Sequence, residues 1–75
     1  MNKMRRKQLG ELIQKIGSLK DELEGIKNEE EYSFENMPEG LQSSQRGIDS
    51  EEAIEKMEDA VNSMDEAIES LEEIS

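Results

Sequence analysis

The sequence contains no cysteine, no histidine and no tryptophan, and it has one tyrosine, one phenylalanine and one proline. Without cysteine, the chain forms neither a disulfide nor a thiolate metal site. Without histidine, it lacks the usual general base at neutral pH and the commonest metal ligand. So few aromatic residues leave little to line a substrate pocket. We therefore expect no enzymatic activity, no catalytic residue, no cofactor and no metal ion.

Long apolar runs are also missing, and no apolar segment follows the basic start "MNKMRRKQLGELI". A membrane-spanning helix needs about 20 apolar residues, and a signal peptide needs an apolar core after its basic residues. We therefore expect a cytoplasmic protein without membrane contact. The 75 residues carry a net charge of −11. That charge disfavours direct binding to nucleic acid and favours a basic protein surface as partner.

The first half of the chain carries an apolar stripe with helical spacing. Its residues recur at intervals of three and four: Leu9, Leu12, Ile16, Leu19, Leu23 and Ile26. This heptad pattern predicts a helix over about residues 3–34. Ile13 widens the stripe, which indicates more than one neighbouring helix. Continued in register, the stripe reaches Glu30 and Ser33, so we expect the helix to fray or leave the bundle near Tyr32 to Glu35 and to end before Pro38.

The second half repeats the pattern, with the apolar residues Ile54, Met57, Val61, Met64, Ile68 and Leu71. It predicts a second helix over about residues 50–74. Asp49 is the expected N-cap, with Glu52 completing a capping box, and Ser50 is the alternative cap. Small side chains line one edge of this stripe every seven residues, which lets another helix approach closely: Ala53, Ala60 and Ala67.

Between the helices, "ENMPEGLQSSQRGID" is rich in turn residues and predicts a loop over about residues 36–48. A short helical turn from Pro38 to Gln42, anchored by Leu41, is expected inside it. Two helices joined in this way fold back antiparallel, which places the basic "NKMRRK" beside the acidic "ESLEEIS". The predicted fold is all-α, an antiparallel two-helix hairpin with heptad packing.

Two helices cannot cover both flanks of either stripe, so we expect self-association. The preferred architecture is a homodimer of hairpins that forms a four-helix bundle. Its contact residues are predicted to be Ile13, Ala53, Ala60 and Ala67. The rival is a monomer whose open flank is completed by a different protein.

Carboxylates occupy the positions that the second stripe leaves open, and more of them precede the loop. Rows of carboxylates imitate the phosphate spacing of a nucleic acid strand, because basic residues that bind phosphates also bind carboxylates. The alternative is a solvated face that maintains solubility. The predicted partner-binding residues are Glu29, Glu30, Glu31, Glu51, Glu55, Glu58, Asp59 and Glu69.

Apolar residues around the loop include both aromatics and form a predicted contact surface: Tyr32, Phe34, Met37 and Leu41. The alternative is that they fold back and plug the end of the hairpin. We expect Arg46 to pair with Glu39 or Asp49. Gly10 and Gly17 lie seven residues apart, which indicates either close helix packing or tolerated flexibility.

The layout "RRK…IGSLKDELEGI…FENMPEGLQSSQRG…EEAIEKMEDAV…DEAIESLEEI" resembles the small, acidic, two-helix hypothetical proteins of Firmicutes genomes and their phages. The resemblance covers most of the chain and carries no functional motif. It implies a mobile-element setting, in which small acidic proteins resemble inhibitors of host nucleic-acid enzymes. We therefore expect a non-enzymatic protein-binding module, a phage or mobile-element inhibitor that docks its acidic surface on a basic, nucleic-acid-binding site of a host protein. The alternative is a structural or assembly module acting through the bundle itself.

Overall fold

The computed structural model describes all residues 1–75 and contains three helices and no strand. Helix α1 spans Lys3–Glu35, α2 spans Glu39–Gln42 and α3 spans Gln45–Glu72. The two long helices lie antiparallel, as two contacts show: Lys20 bonds to Asp65, and Glu30 bonds to Ser50. The Cα atoms fill a rod of 58 × 15 × 12 Å. The predicted all-α hairpin is confirmed.

Helix α1 is capped at both ends by asparagine residues. Asn2 is the N-cap, and its Oδ1 accepts a hydrogen bond of 2.8 Å from the backbone N–H of Arg5. At the other end Asn36 follows the last helical residue, and its Nδ2 donates to the carbonyl of Tyr32 over 2.7 Å. The helix is over before Pro38, as the restriction on the residue preceding a proline predicts.

The seam between α1 and α3 differs from the predicted stripe on α1. The half-buried residues that form it are Leu9, Ile13, Ile16, Lys20, Leu23, Lys27, Glu30 and Phe34. The predicted Leu12, Leu19 and Ile26 are instead 47%, 54% and 56% exposed. The observed row continues to the half-buried Met37, so it spans the whole of α3, whereas the predicted row ends at the exposed Ser33. Lysines fit the observed row because their stems pack while their amines reach carboxylates at its edge.

The prediction that α1 frays or leaves the bundle near Tyr32 to Glu35 is wrong, because the helix continues to Glu35 and Phe34 is half-buried in the seam. The seam also includes Glu30, one helical turn earlier. The Glu30 carboxylate accepts a hydrogen bond from the hydroxyl of Ser50, which is buried on α3. A polar pair thus replaces an apolar layer, and both partners are satisfied.

Helix α3 begins at Gln45, ahead of the predicted start near residue 50. Ser44 is the N-cap residue, and Asp49 lies inside the helix, where it accepts a hydrogen bond of 2.7 Å from Gln45 Nε2. The predicted capping box at Asp49 and Glu52 is therefore wrong. The seam on α3 extends back to the buried Gly47 and Ser50, so packing against α2 and α1 sets the start of the helix.

The predicted helical turn between the long helices is α2. Leu41 does not anchor it, because this side chain is 43% exposed. Gln42 does so instead: its Nε2 donates to the carbonyl of Phe34 over 3.1 Å, and its backbone lies directly against Gly47. The turn is thus tied to both long helices by one residue.

Candidate functional site

One side of the hairpin exposes apolar residues along most of its length. On α1, Leu12, Leu19 and Ile26 each directly precede a seam residue, and in α3 the predicted alanines do the same. In an antiparallel pair, such positions on the two helices lie on the same side of the seam. We call this surface the apolar flank; it consists of Leu12, Leu19, Ile26, Ala53, Ala60, Ala67 and Ile74.

Grooves at both ends of the hairpin show that the two rows share one side. At the end that holds both termini, called the terminal end, Leu12 and Ile74 line one groove. At the loop end, Ser33 and Ala53 line another. Ile74 is 54% exposed and Ala53 and Ala67 are exposed as well, so this chain leaves most of the apolar flank open.

The predicted self-association residues divide between two places. Ala53, Ala60 and Ala67 belong to the apolar flank, and Ala60 is the half-buried one. Ile13 lies instead in the seam that faces α3, since it is half-buried beside the exposed Leu12. The heptad pattern predicts Leu12, Leu19 and Ile26 in the seam, so it does not indicate that these residues lie on the surface.

Carboxylates occupy the other sides of α3. We call them the acidic face; it consists of Glu51, Glu52, Glu55, Glu58, Asp59, Asp65, Glu66, Glu69 and Glu72. Of these, only Asp65 forms an ion pair, to Lys20. Glu55, Glu58, Asp59 and Glu69 are all exposed. The acidic face therefore retains most of its charge for contact with solvent or a partner.

The carboxylates of α1 that were predicted to bind a partner are partly engaged within the chain. Glu31 forms an ion pair with Lys27 at 3.6 Å, and Glu30 is bonded to Ser50. Glu29 is exposed and forms no ion pair. No group of three or more carboxylates is arranged to hold a metal ion.

Lys20 links the two helices on the side opposite the apolar flank. Its Nζ donates to Asp65 Oδ1 at 2.8 Å and lies 3.9 Å from Glu24 Oε1. The hydrogen bond that Lys20 donates to Asp65 raises the pKa of Lys20 above its ordinary value, against partial desolvation, and the nearby carboxylates add to the rise. This pair fixes the antiparallel register at the middle of the rod.

The loop residues predicted as a contact surface do not form one patch. Tyr32 is 70% exposed, whereas Phe34 and Met37 are half-buried where the seam ends. Phe34 and Met37 thus lie at the loop end of the seam, whereas Tyr32 and Leu41 are exposed. Arg46 forms no ion pair with Glu39 or Asp49, and lies in the groove that also contains Ser33.

Of the glycines, Gly47 makes a close backbone contact that the sequence did not indicate. A Cβ atom at Gly10 or Gly17 would meet no atom within 4 Å, so neither residue is needed for packing within the chain. A Cβ atom at Gly47 would overlap the backbone of Gln42. Gly47 is therefore the position where absence of a side chain matters to this fold.

Comparisons with protein families, with curated proteins and with solved structures find no match for this chain. None of its helices combines the length and the apolar character that crossing a membrane requires.

Proposed function

We propose that the protein is a non-enzymatic interaction module with two working surfaces. The apolar flank joins hairpins into a four-helix bundle, and the acidic face docks on a basic surface of another protein. The observation that carries this proposal is the separation of the two kinds of residue. One row of α3 runs directly beside the alanines, and it contains Asp49, Lys56, Ser63 and Ser70. Asp49 is therefore the only carboxylate of α3 in the row next to the alanines.

Self-association is supported by the small amount of burial within one hairpin. Val61 is the only apolar side chain that the chain buries, at 8% exposure. A contiguous row of leucine and isoleucine side chains on the surface of a soluble domain marks an interaction site. The bundle buries that row and leaves the acidic face outside.

Docking of the acidic face is supported by its spacing and its unpaired charge. Successive carboxylates at helical rise present acceptors to arginine and lysine side chains, much as phosphates do. A basic site that binds nucleic acid is the partner of matching chemistry, and the resemblance to phage-encoded proteins fits an inhibitor of a host nucleic-acid enzyme. Duplex DNA and the acidic face then compete for one site.

The test replaces Glu55, Glu58 and Glu69 by lysine together and uses the variant to capture proteins from the native host lysate. We expect a protein that binds the wild-type chain at low salt to be lost in the variant. Such contacts weaken steeply with ionic strength, so high salt and an excess of duplex DNA should both release it.

A matched control replaces Glu11, Glu35 and Glu39 by lysine, which changes the net charge by the same amount away from the acidic face. We expect this control to capture the same protein as the wild type. Equal capture by both variants, or binding that survives high salt, would contradict docking through the acidic face and would favour the structural role of the bundle alone.

A further inference from the structure

We infer that a second copy of this chain covers the apolar flank in one particular arrangement. The two hairpins stack antiparallel, so that α1 lies against α1 of the second copy with Leu19 at the twofold axis. This inference rests on the self-association proposed above and adds its orientation, its register and its polar contacts.

The exposed area of the hairpin matches what a dimer interface needs. The chain exposes 5752 Å², whereas a compact monomer of its mass, 8.6 kDa, exposes about 4,700 Å². The excess is about 1,000 Å², and a standard interface buries about 800 Å² per partner. One partner of the same size on one flank therefore brings the rod to an ordinary compactness.

The two ends of the hairpin differ strongly in charge, and this difference selects the orientation. At the terminal end, residues 3–17 hold five basic and one acidic side chains, and residues 62–75 hold five acidic ones. At the loop end, residues 21–35 hold one basic and seven acidic side chains, and residues 45–59 hold two basic and six acidic. The terminal end is thus nearly neutral, and the loop end is strongly acidic.

Stacking like ends would place two strongly acidic loop ends together, and the mutual repulsion would be large. Antiparallel stacking places each loop end on a nearly neutral terminal end instead. It also lays the basic start of α1, which forms no ion pair in its own chain, beside the acidic end of α1 in the second copy. Charge therefore favours α1 against α1.

The register follows from the spacing of the apolar flank. With Leu19 opposite Leu19 of the second copy, Leu12 lies opposite Ile26, and every large residue of α1 on the flank meets another. In the same register Lys15 lies across from Glu22 of the second copy, next to the flank on its outer side. Because the arrangement is twofold symmetric, each such contact occurs twice.

Cysteine cross-linking tests the register, since the chain has no cysteine of its own. We expect the Leu19→Cys variant to form a disulfide-linked dimer on mild oxidation. The Asn28→Cys variant is the control, because Asn28 is exposed on the opposite side of α1 and should not cross-link. A mixture of Leu19→Cys and Ala67→Cys chains tests the other stacking, in which α1 lies against α3 of the second copy. We expect no disulfide between a Leu19→Cys chain and an Ala67→Cys chain.

Exchange of charge tests the polar contact. We expect Lys15→Glu and Glu22→Lys each to raise the dimer dissociation constant about tenfold at low salt, because two attractive pairs become repulsive. The double variant should restore wild-type affinity. The two single variants change the net charge in opposite directions, so net charge alone cannot weaken both.

Sedimentation of the unmodified chain separates the possible failures. A monomer at all concentrations would overturn this inference and the self-association part of the proposed function, and would leave docking of the acidic face to its own test. A dimer in which Leu19→Cys does not cross-link would overturn the arrangement and leave self-association standing. Disulfide-linked dimers of Leu19→Cys with Ala67→Cys would overturn the proposed arrangement and would show that α1 stacks on α3 of the second copy.

Discussion

At the scale of single residues, Gly47 shows how one missing side chain sets the junction between α2 and α3. It is buried, and its Cα faces the backbone of Gln42, which also holds α2 to Phe34. A methyl group there would overlap a carbonyl group rather than a flexible side chain. The backbone must move to admit it, so any side chain at this position should destabilise the junction.

We expect Gly47→Ala to lower the free energy of unfolding by about 1–3 kcal/mol, the usual effect of overpacking. The matched control is Gly25→Ala, where a methyl group meets nothing within 4 Å. This control should raise stability by about 0.5–1 kcal/mol, because alanine favours a helix interior. Urea denaturation at one fixed protein concentration measures both. Equal stabilisation by the two changes would show that the contact with Gln42 is not maintained.

Lys20 gives a pH dependence whose direction follows from its bond to Asp65. The pKa of Lys20 is raised in the folded chain above its ordinary value of 10.5. Its stabilising contribution is therefore complete below that value and is lost as the pH rises through the folded pKa. We expect the unfolding free energy of the wild type to fall more steeply above about pH 10.5 than that of Lys20→Met.

Asp65→Asn provides the control for this pH effect, since it keeps the shape of the partner and removes its charge. The variant should show the same shallow alkaline profile as Lys20→Met. The three proteins differ only at this pair, so a difference between their alkaline profiles reports on the bond between Lys20 and Asp65. Parallel profiles for the wild type and Lys20→Met would mean that the bond contributes nothing to stability.

At the scale of helices, α3 was predictable and the inward side of α1 was not. The stripe of α3 is confirmed by burial, because the large apolar side chains from Ile54 to Leu71 form a single row. On α1, two rows share Leu9, Ile16 and Leu23. One row adds Leu12, Leu19 and Ile26, and the other adds Ile13, Lys20 and Lys27. The sequence predicts the first row as the seam because it is more apolar. Periodicity finds apolar rows, but it does not say which row meets which helix. The row with Lys20 faces α3 because it alone continues along the whole hairpin.

The start of α3 illustrates the same limit. Asp49 and Glu52 form a local capping signal, yet the helix continues back to Gln45 because α2 packs against Gly47. In the candidate site, the exposed position of Glu55, Glu58 and Glu69 follows from the heptad pattern alone. The engagement of Glu30 by Ser50 does not, because it depends on a residue twenty positions away.

At the scale of the whole molecule, the rod has two kinds of apolar contact. Val61 lies in the seam within one hairpin, and its burial does not depend on a second copy. Ile26 lies on the apolar flank, where the proposed second copy would cover it. Substitutions at the two positions should therefore respond differently to protein concentration, which makes concentration the variable that separates folding from assembly.

We expect the wild-type midpoint of thermal unfolding to rise with protein concentration, as association with a second copy stabilises the folded state. Val61→Ala removes two buried methyl groups, about 1.5 kcal/mol, and should lower the midpoint by several degrees at every concentration. Ile26→Ala should lower it at high concentration, where the dimer forms, and much less in dilute solution. Calorimetry at high concentration and circular dichroism at low concentration cover the range. An equal shift for Ile26→Ala at both extremes would place its stabilising contacts inside one hairpin and remove the need for a second copy.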